Sequence, residues 1–224
     1  MIDLAVAFLL VGLSILGVIA LLELIEKYRK TKPSKRPRCV KNLANTITKT
    51  RMALAFVAVA IWWWLPLSGA VLYALLAITD FLDGRAARRL KQVSNWGKLW
   101  DPRADKLLVW LGMVSFAAWA LATTNWLAAA IVVLSLAITI VRDTDVMKLR
   151  AKASKKVDIA AKFTAKLKTA LQMAAICLLF LVPACQTYLG AVWQTVLALA
   201  EVLLVIATLL AVISWADYRR IYRK

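Results

Sequence analysis

Long apolar runs alternate with short polar and basic segments throughout the chain. The first run, residues 4–22, is long enough for a helix that crosses a bilayer, which takes about 20 residues. Residues 42–50 mix polar and apolar positions and predict a short helix in the membrane interface. Six later runs predict further crossing helices, at residues 51–65, 70–90, 97–121, 127–149, 157–182 and 190–214. The pattern therefore predicts an all-α integral membrane protein, with a six-helix transmembrane core and one extra transmembrane helix at the amino terminus.

Short polar segments predict the turns between these helices, at residues 65–69, 92–95, 123–126 and 183–188. Trp62, Trp63 and Trp64 directly precede the first of these turns, and such an aromatic group is typical of the membrane interface. Glu201 falls in the middle of the last run, where an ionised carboxylate is costly. We therefore expect Glu201 to face the helix bundle or to carry a proton.

The composition agrees with this class and narrows the function. Of the 224 residues, 62% are hydrophobic, and the mean hydropathy is +0.73. The formal net charge of +18 could indicate nucleic-acid binding, but the Lys and Arg residues are confined to residues 27–51, 85–106, 142–168 and 219–224. This clustering favours the positive-inside pattern of a membrane protein and contact with anionic lipid headgroups, and we expect no nucleic-acid partner. Because the chain has no histidine, histidine bases and histidine metal ligands are excluded.

The charge pattern also predicts the orientation in the membrane. If the basic clusters lie inside, the amino terminus lies outside, the carboxyl terminus lies inside, and the chain is a multi-pass protein of the inner (cytoplasmic) membrane. The flank before residue 4 contains Asp3 and no Lys or Arg, so we expect a retained helix at residues 1–26 in place of a cleaved signal peptide. Residues 27–41 are a basic linker.

Four aspartates lie close together in the sequence, on two consecutive predicted helices. At about 100° per residue, Asp83 lies roughly 60° from Asp80 on one helix face. Asp101 and Asp105 are four residues apart and share a face of the next helix. Two helices that face each other would therefore bring four carboxylates together, and such a cluster suits Mg²⁺, Mn²⁺ or Ca²⁺.

The residues around these acids suit a phosphate ligand. Gly84 and Arg88 share the face of Asp80, and Gly97 shares the face of Asp101. The glycines leave room for a ligand to approach the backbone, and Arg88 is a suitable phosphate partner. The alternative interpretation is that the aspartates are membrane-edge charges paired with neighbouring Arg and Lys residues. A cation transporter is a further alternative, but transporter acids are typically found at the bilayer midplane and these acids lie at one edge.

The stretch from Asp80 to Asp105 resembles the signature of the CDP-alcohol phosphotransferase family. It reads Asp-x2-Asp-Gly-x2-Ala-Arg-x8-Gly-x3-Asp-x3-Asp and agrees with the signature at every defined position. The resemblance implies a six-helix core in a domain at residues 42–224, and a homodimer. It also implies a metal-dependent transfer of the phosphatidyl group of CDP-diacylglycerol to an alcohol, with release of CMP on the cytoplasmic side.

The same resemblance implies a role for each residue of the motif. Asp105 acts as the general base and also binds metal, together with the other aspartates, so that the metal ligands are Asp80, Asp83, Asp101 and Asp105. The cofactor is Mg²⁺ or Mn²⁺, bound as two ions. The residues implied to contact CDP-diacylglycerol are Asn45, Thr48, Asp80, Gly84, Arg88 and Ser94. For Asn45 and Thr48, helix capping is an equally simple interpretation.

Basic residues on the later helices suit a phosphorylated acceptor. These are Arg142, Arg150, Lys166 and Lys168, and each alone could also be a topology signal. The stretches around them, with Gln172 and Ser214-x2-Asp217-Tyr218, resemble the branch of the family that uses glycerol 3-phosphate and makes phosphatidylglycerophosphate. Asp143 and Asp145 depart from that branch, in which a Glu and apolar residues are expected. The acceptor could otherwise be inositol phosphate, serine or phosphatidylglycerol.

Overall fold

The computed structural model describes residues 2–29, 43–90, 95–152 and 163–222, and these residues include seven α-helices. The predicted linker beyond residue 29, Ser94 and the segment 153–162 lie outside the described residues. The helices are α1 (Ile2–Arg29), α2 (Leu43–Trp64), α3 (Pro66–Leu90), α4 (Asn95–Ala122), α5 (Trp126–Lys152), α6 (Phe163–Tyr188) and α7 (Val192–Tyr222). The predicted all-α class is confirmed.

The hydrophobicity of these helices makes the chain a membrane protein. Within the described residues, three helical segments are long and apolar enough to cross a bilayer: Trp126–Leu149, Leu167–Tyr188 and Val192–Arg220. Shorter apolar segments of the other four helices are Ile2–Ser14, Thr50–Trp64, Pro66–Thr79 and Lys106–Ala122. The predicted number of six core helices plus one stays a prediction.

Two predicted helix boundaries are wrong. The predicted interfacial helix at residues 42–50 is instead the first part of α2, which continues to Trp64 because no Pro or Gly interrupts it. The predicted loop at residues 183–188 is the last part of α6, which contains Pro183. A proline inside a membrane helix is tolerated when the freed backbone groups find other partners. Beyond Pro183, the Thr187 hydroxyl donates to the Pro183 carbonyl (2.9 Å), and the chain turns at Gly190, whose φ is +55°.

The turn between α2 and α3 is shorter than predicted. Only Leu65 is non-helical. The turn is this short because helix-type hydrogen bonds continue on both sides of it: Leu65 N–H donates to the Ile61 carbonyl (2.7 Å), and the Leu65 carbonyl accepts from Gly69 N–H (2.9 Å). Pro66 occupies the first position of α3, where a missing N–H costs nothing. The helix predicted to begin at residue 70 therefore begins four residues earlier.

A side chain from α1 satisfies the first free N–H groups of α3. The Asp3 carboxylate accepts hydrogen bonds from Leu67 N–H (3.0 Å) and Ser68 N–H (2.8 Å). The Ser68 hydroxyl donates to the Asp3 carbonyl (2.9 Å). Asp3 and Ser68 are both buried, and a carboxylate at this position also complements the helix dipole. Because these residues are near the first residue of their helices, α1 and α3 begin at the same end.

Trp62 does not belong to the predicted aromatic belt. It is 2% exposed and packs against Gly69, whereas Trp63 and Trp64 are exposed (47% and 87%), as an interfacial position requires. The reason is the tight turn at Leu65, which brings the start of α3 directly against the end of α2. A Cβ atom at position 69 would overlap the backbone of Trp62.

Gly69→Ala should therefore destabilise the protein. Overpacking of this kind typically costs about 1–3 kcal/mol, and here the overlap is with backbone atoms that cannot rotate away. Gly12→Ala is the matched control, since no heavy atom lies within 4 Å of a Cβ at position 12. Thermal unfolding in detergent would show a lower Tm for the first variant alone. Equal Tm values for the two variants would contradict this packing.

The chain divides into two compact units, residues 1–111 and 112–224. In the first unit α3 packs against α1 and α2, and the Tyr73 hydroxyl donates to the Leu108 carbonyl of α4 (2.9 Å). In the second unit α7 packs against α5 and α6 around a core of fully buried side chains that includes Phe116, Phe180 and Leu204. Glu201, which we expected to face the bundle, is half-buried on α7.

Candidate functional site

The acidic motif lies on two helices of the first unit. Asp80 and Asp83 belong to α3, and Asp101 and Asp105 belong to α4, so the helical spacing assumed from the sequence holds for the backbone. The side chains of most predicted site residues lie outside the described part of the structure. These are Asn45, Thr48, Asp80, Asp83, Arg88, Asp101, Asp105, Arg150 and Lys166. Their predicted contacts with metal, CDP-diacylglycerol and acceptor stay predictions.

The contact between Tyr73 and Leu108 indicates the register of these two helices. Only residues 91–94 separate α3 from α4, and with so short a connection we expect the two helices to run in opposite directions. Residue 80 is seven residues after Tyr73, and residue 101 is seven residues before Leu108. At about 1.5 Å per residue, both positions lie roughly 10 Å along the helix axes from the hydrogen bond. Straight continuation of both helices therefore places residues 80 and 101 at the same level.

The described residues form a second candidate site in the second unit, a buried charge cluster of Arg142, Asp143 and Lys168. The Arg142 Nη1 atom donates to Asp143 Oδ1 (2.7 Å), and Lys168 Nζ lies 3.8 Å from the same oxygen. The three residues are 8%, 5% and 4% exposed. Two positive groups thus converge on one carboxylate oxygen between α5 and α6.

Polar residues of α7 complete the surroundings of Arg142. Its Nη2 atom donates to the Ser214 hydroxyl oxygen (3.0 Å), and its guanidinium carbon lies 5.8 Å from the centre of the Tyr218 ring. Ser214 and Tyr218 are four residues apart and therefore share one face of α7. Ser214 in turn donates to the Ala211 carbonyl (2.9 Å). Arg142 is thus held by contacts from two helices, and its guanidinium has one fixed orientation.

Gln172 extends this polar region one helical turn beyond Lys168. Its Nε2 atom donates to Thr139 Oγ1 (3.1 Å) and lies 3.6 Å from Met113 Sδ. Within the described part of the chain, Gln172 Oε1 and Arg142 Nε are buried and have no hydrogen-bond partner. A buried polar atom without a partner is costly. The region therefore retains one donor and one acceptor that a polar ligand could satisfy.

The charge of the buried charge cluster favours an anion. Its three side chains carry two positive charges and one negative charge, which leaves a net charge of +1. Burying an ion is costly unless opposite charge and hydrogen bonds compensate for it. The Arg142 guanidinium and the Lys168 ammonium are groups that bind phosphate well.

A second carboxylate, Asp145, joins α5 to the exposed end of α7. It accepts hydrogen bonds from Trp215 Nε1 (2.6 Å) and Arg219 Nε (2.8 Å), and the Arg219 guanidinium lies 4.5 Å from the centre of the Trp215 ring. Arg219 is half exposed, with 53% of its side-chain surface accessible. These contacts stabilise the packing of α7 on α5 next to the buried charge cluster.

Sequence reasoning grouped Arg142 with Lys168 but missed the residue that joins them. Adjacent residues on a helix do not normally face each other, so an ion pair between Arg142 and Asp143 is not expected from their spacing. The available signal was the cost of two buried cations, which requires a nearby carboxylate. Thr139 was also missed, and nothing in its sequence context distinguishes it from a lipid-facing residue.

A family model and individual relatives both show similarity between this chain and phosphatidyltransferases. A family model described as CDP-alcohol phosphatidyltransferase matches residues 41–215. The chain is 34% identical over 120 residues to the CDP-diacylglycerol–glycerol-3-phosphate 3-phosphatidyltransferase of Sodalis glossinidius, covering 50% of this chain and 60% of that protein. It is also 39% identical over 111 residues to the protein of the same name from Mycoplasma genitalium, which covers 49% of this chain and 43% of that protein. With the Salmonella choleraesuis protein of that name it is 32% identical over 146 residues, which covers 60% of this chain and 74% of that protein. The chain thus spans less than two thirds of the first two relatives.

Proposed function

Because the chain belongs to the CDP-alcohol phosphatidyltransferase family, we propose that it transfers the phosphatidyl group of CDP-diacylglycerol to glycerol 3-phosphate, giving phosphatidylglycerophosphate and CMP. The names of the relatives support this reaction. The observation that carries the choice of acceptor is the buried charge cluster, whose net charge of +1 suits a phosphate monoester. Serine carries no phosphate group for these two cations to bind.

The proposed chemistry is a substitution at phosphorus. The acceptor hydroxyl attacks the phosphorus that bears diacylglycerol, a new O–P bond forms, and the bond to the CMP oxygen breaks. Asp105 takes the hydroxyl proton as general base, a role typically worth about 10²–10⁴ in rate. Arg88 binds the phosphate of CDP-diacylglycerol, and Gly84 lets that phosphate approach the backbone of α3. Asn45, Thr48 and Ser94 bind the rest of the CDP group.

The acidic motif fits a pair of divalent cations. Its donor set consists of carboxylate oxygens alone, from Asp80, Asp83, Asp101 and Asp105, and hard cations such as Mg²⁺ and Mn²⁺ prefer such ligands. The register that follows from the Tyr73–Leu108 contact supports a common site on α3 and α4. When bound, these ions neutralise the charge of the phosphates.

An acceptor screen tests the function. Purified protein would be incubated with CDP-diacylglycerol, Mg²⁺ or Mn²⁺ and one acceptor at a time, and CMP release would be measured. The acceptors are glycerol 3-phosphate, inositol phosphate, serine and phosphatidylglycerol. Release with glycerol 3-phosphate alone is the expected result, and preference for another acceptor would overturn the assignment. Cation flux in liposomes without CMP release would support the transporter alternative.

Lys168→Met should chiefly raise the KM for glycerol 3-phosphate. The substitution keeps most of the side-chain volume but lowers the net charge of the buried charge cluster from +1 to 0. A hydrogen bond to a charged group contributes about 1.5–3 kcal/mol, so we expect an increase of about tenfold or more. Steady-state kinetics with each substrate varied in turn would show little change in kcat or in the KM for CDP-diacylglycerol.

Arg219→Met is the matched control for this prediction. It also removes one positive charge near α5, but Arg219 is exposed and pairs with Asp145. Exposed ion pairs contribute about 0–1 kcal/mol, so its acceptor KM should stay close to that of the wild type. If both variants change the acceptor KM equally, the buried charge cluster has no specific role in acceptor binding.

The proposed orientation has the amino terminus outside, the carboxyl terminus inside and the active site facing the cytoplasm. The four basic clusters support it, and so does the common starting end of α1 and α3. In a background without native cysteines, Gln186→Cys should react with an impermeant thiol reagent in intact cells, and Arg220→Cys should react only after permeabilisation. The reverse pattern would exclude this orientation.

We also propose a homodimer with a six-helix core in each chain. Light scattering in detergent would give the mass of the assembly and so test the dimer.

A further inference from the structure

The amino-terminal helix supplies a side chain that α3 lacks in its own sequence. The residue before the first turn of a helix usually caps it with a polar side chain, but α3 has Leu65 there. Asp3 of α1 takes over this role and binds the N–H groups of Leu67 and Ser68. We infer that Asp3 is a positioning residue that fixes α3, the helix carrying Asp80 and Asp83, at one axial position against α1.

The contacts are suited to fixing position because they are several, short and buried. The carboxylate makes two backbone contacts of 2.8 and 3.0 Å, and the Ser68 hydroxyl donates back to the Asp3 carbonyl (2.9 Å). Ser68 is 0% exposed and Asp3 is 6% exposed, so water does not readily replace either partner. The Ser68 hydroxyl also contacts the Asp3 carboxylate (2.5 Å), and sliding α3 by one residue along α1 would break all four hydrogen bonds. The contacts therefore permit one register of the two helices.

A fixed start of α3 also fixes its other end. Asp80 is twelve residues after Ser68, which corresponds to about 18 Å of helix at 1.5 Å per residue. Continuous backbone hydrogen bonds keep this length constant, so an axial shift at Ser68 would reach Asp80 undiminished. Metal ligands must keep their distances within about 0.2 Å, so such a shift would weaken metal binding. This step rests on the proposed function of the acidic motif.

The first experiment measures the position of α3 directly and needs no activity. Spin labels would be attached at Leu16→Cys and Ile78→Cys, which are exposed positions on α1 and α3 (65% and 55%), in a background without native cysteines. Asp3→Ala should shift or broaden the distance distribution and lower the Tm. Ser14→Ala is the matched control, because that hydroxyl donates to Leu10 of its own helix (2.7 Å). It should leave both measurements unchanged.

A local cap separates positioning from simple stabilisation. Leu65→Asn supplies a preferred capping residue within the chain of α3 itself. Combined with Asp3→Ala, it should restore the Tm but not the distance distribution, because the link to α1 is still absent. If the double variant restores both, Asp3 is only a cap and the inference is wrong. An unchanged distance distribution in Asp3→Ala would overturn it as well.

The second experiment links the position of α3 to the acidic motif. Mn²⁺ would be titrated into the protein, and the signal of free Mn²⁺ would be measured. The double variant should bind Mn²⁺ about tenfold more weakly than the wild type. Residues that support metal ligands typically contribute about 10–100-fold to metal affinity, and the expected loss is at the lower end of that range. Altered distances with unchanged Mn²⁺ affinity, or no Mn²⁺ binding by the wild type, would overturn this link. If the wild type binds Mn²⁺ but releases no CMP, the proposed function is wrong. The positioning role of Asp3 is still tested in that case, because the spin-label distances and the Mn²⁺ affinity do not depend on activity.

Discussion

Asp101→Ala should abolish CMP release while the protein remains inserted and folded. In the proposed metal site, carboxylates from two helices bind the ions, and α4 has only Asp101 and Asp105 to offer. Loss of one of them removes a metal ligand and leaves the remaining carboxylates to repel one another. Asp80→Ala and Asp83→Ala should have the same effect from α3. CMP release by the purified variants would be measured, and the Tm of each variant would show whether it is folded.

Arg103→Ala is the matched control for these variants. Arg103 lies between Asp101 and Asp105 on α4, and it is exposed. A variant at this position should keep most of the activity, since no part of the proposed chemistry uses it. Excess chelator should also stop turnover by the wild-type protein. Activity near the wild-type level in any of the three aspartate variants, or turnover in chelator, would exclude the proposed metal site.

Asp105→Asn should lose most of the rate and keep most of the affinity for CDP-diacylglycerol. Asn has the same shape as Asp but cannot take a proton from the acceptor hydroxyl. General base catalysis contributes about 10²–10⁴ in rate, and the loss of a metal ligand would add to the defect. The measurement is kcat by CMP release together with a separate binding titration of CDP-diacylglycerol.

The comparison with Lys168→Met makes this result specific. The Lys168 variant should change mainly the KM for the acceptor, whereas the Asp105 variant should change mainly kcat. Two residues with different roles should therefore separate in the kinetics. A kcat for Asp105→Asn within tenfold of the wild-type value would exclude Asp105 as the general base.

The sequence predicted the helices well because membrane helices depend on apolar length. Continuous apolar runs gave the all-α class and the approximate extent of each helix. The errors occur at helix ends, where single residues such as proline predict the boundary less reliably than the rest of the helix does. Pro183 predicts a helix end, but α6 continues through it to Tyr188, and membrane helices tolerate such prolines. The polar residues 43–50 continue into α2 because nothing in their sequence breaks a helix.

Contacts between distant residues could not be predicted from a single sequence. Asp3 was interpreted only as a charge in the flank of the first helix, and its partner Ser68 lies 65 residues away. Asp143 also lies 3.8 Å from Lys168 of α6, and the spacing within α5 does not reveal this contact. By contrast, the acidic motif could be predicted because its residues lie close together in the sequence, on two consecutive helices. The geometry of its side chains stays a prediction.

The hydrogen bonds between Asp3 and α3 also have a consequence for the order of events during synthesis. Ribosomes make α1 first, so its carboxylate is already in place when residues 66–68 enter the membrane. The free N–H groups at the start of α3 can then bind Asp3 as soon as they reach it. A chain in which the segment 1–29 followed residue 224 would have the same residues but the opposite order. It would have to insert α3 without a cap, and each newly made molecule would spend longer in a form that proteases recognise.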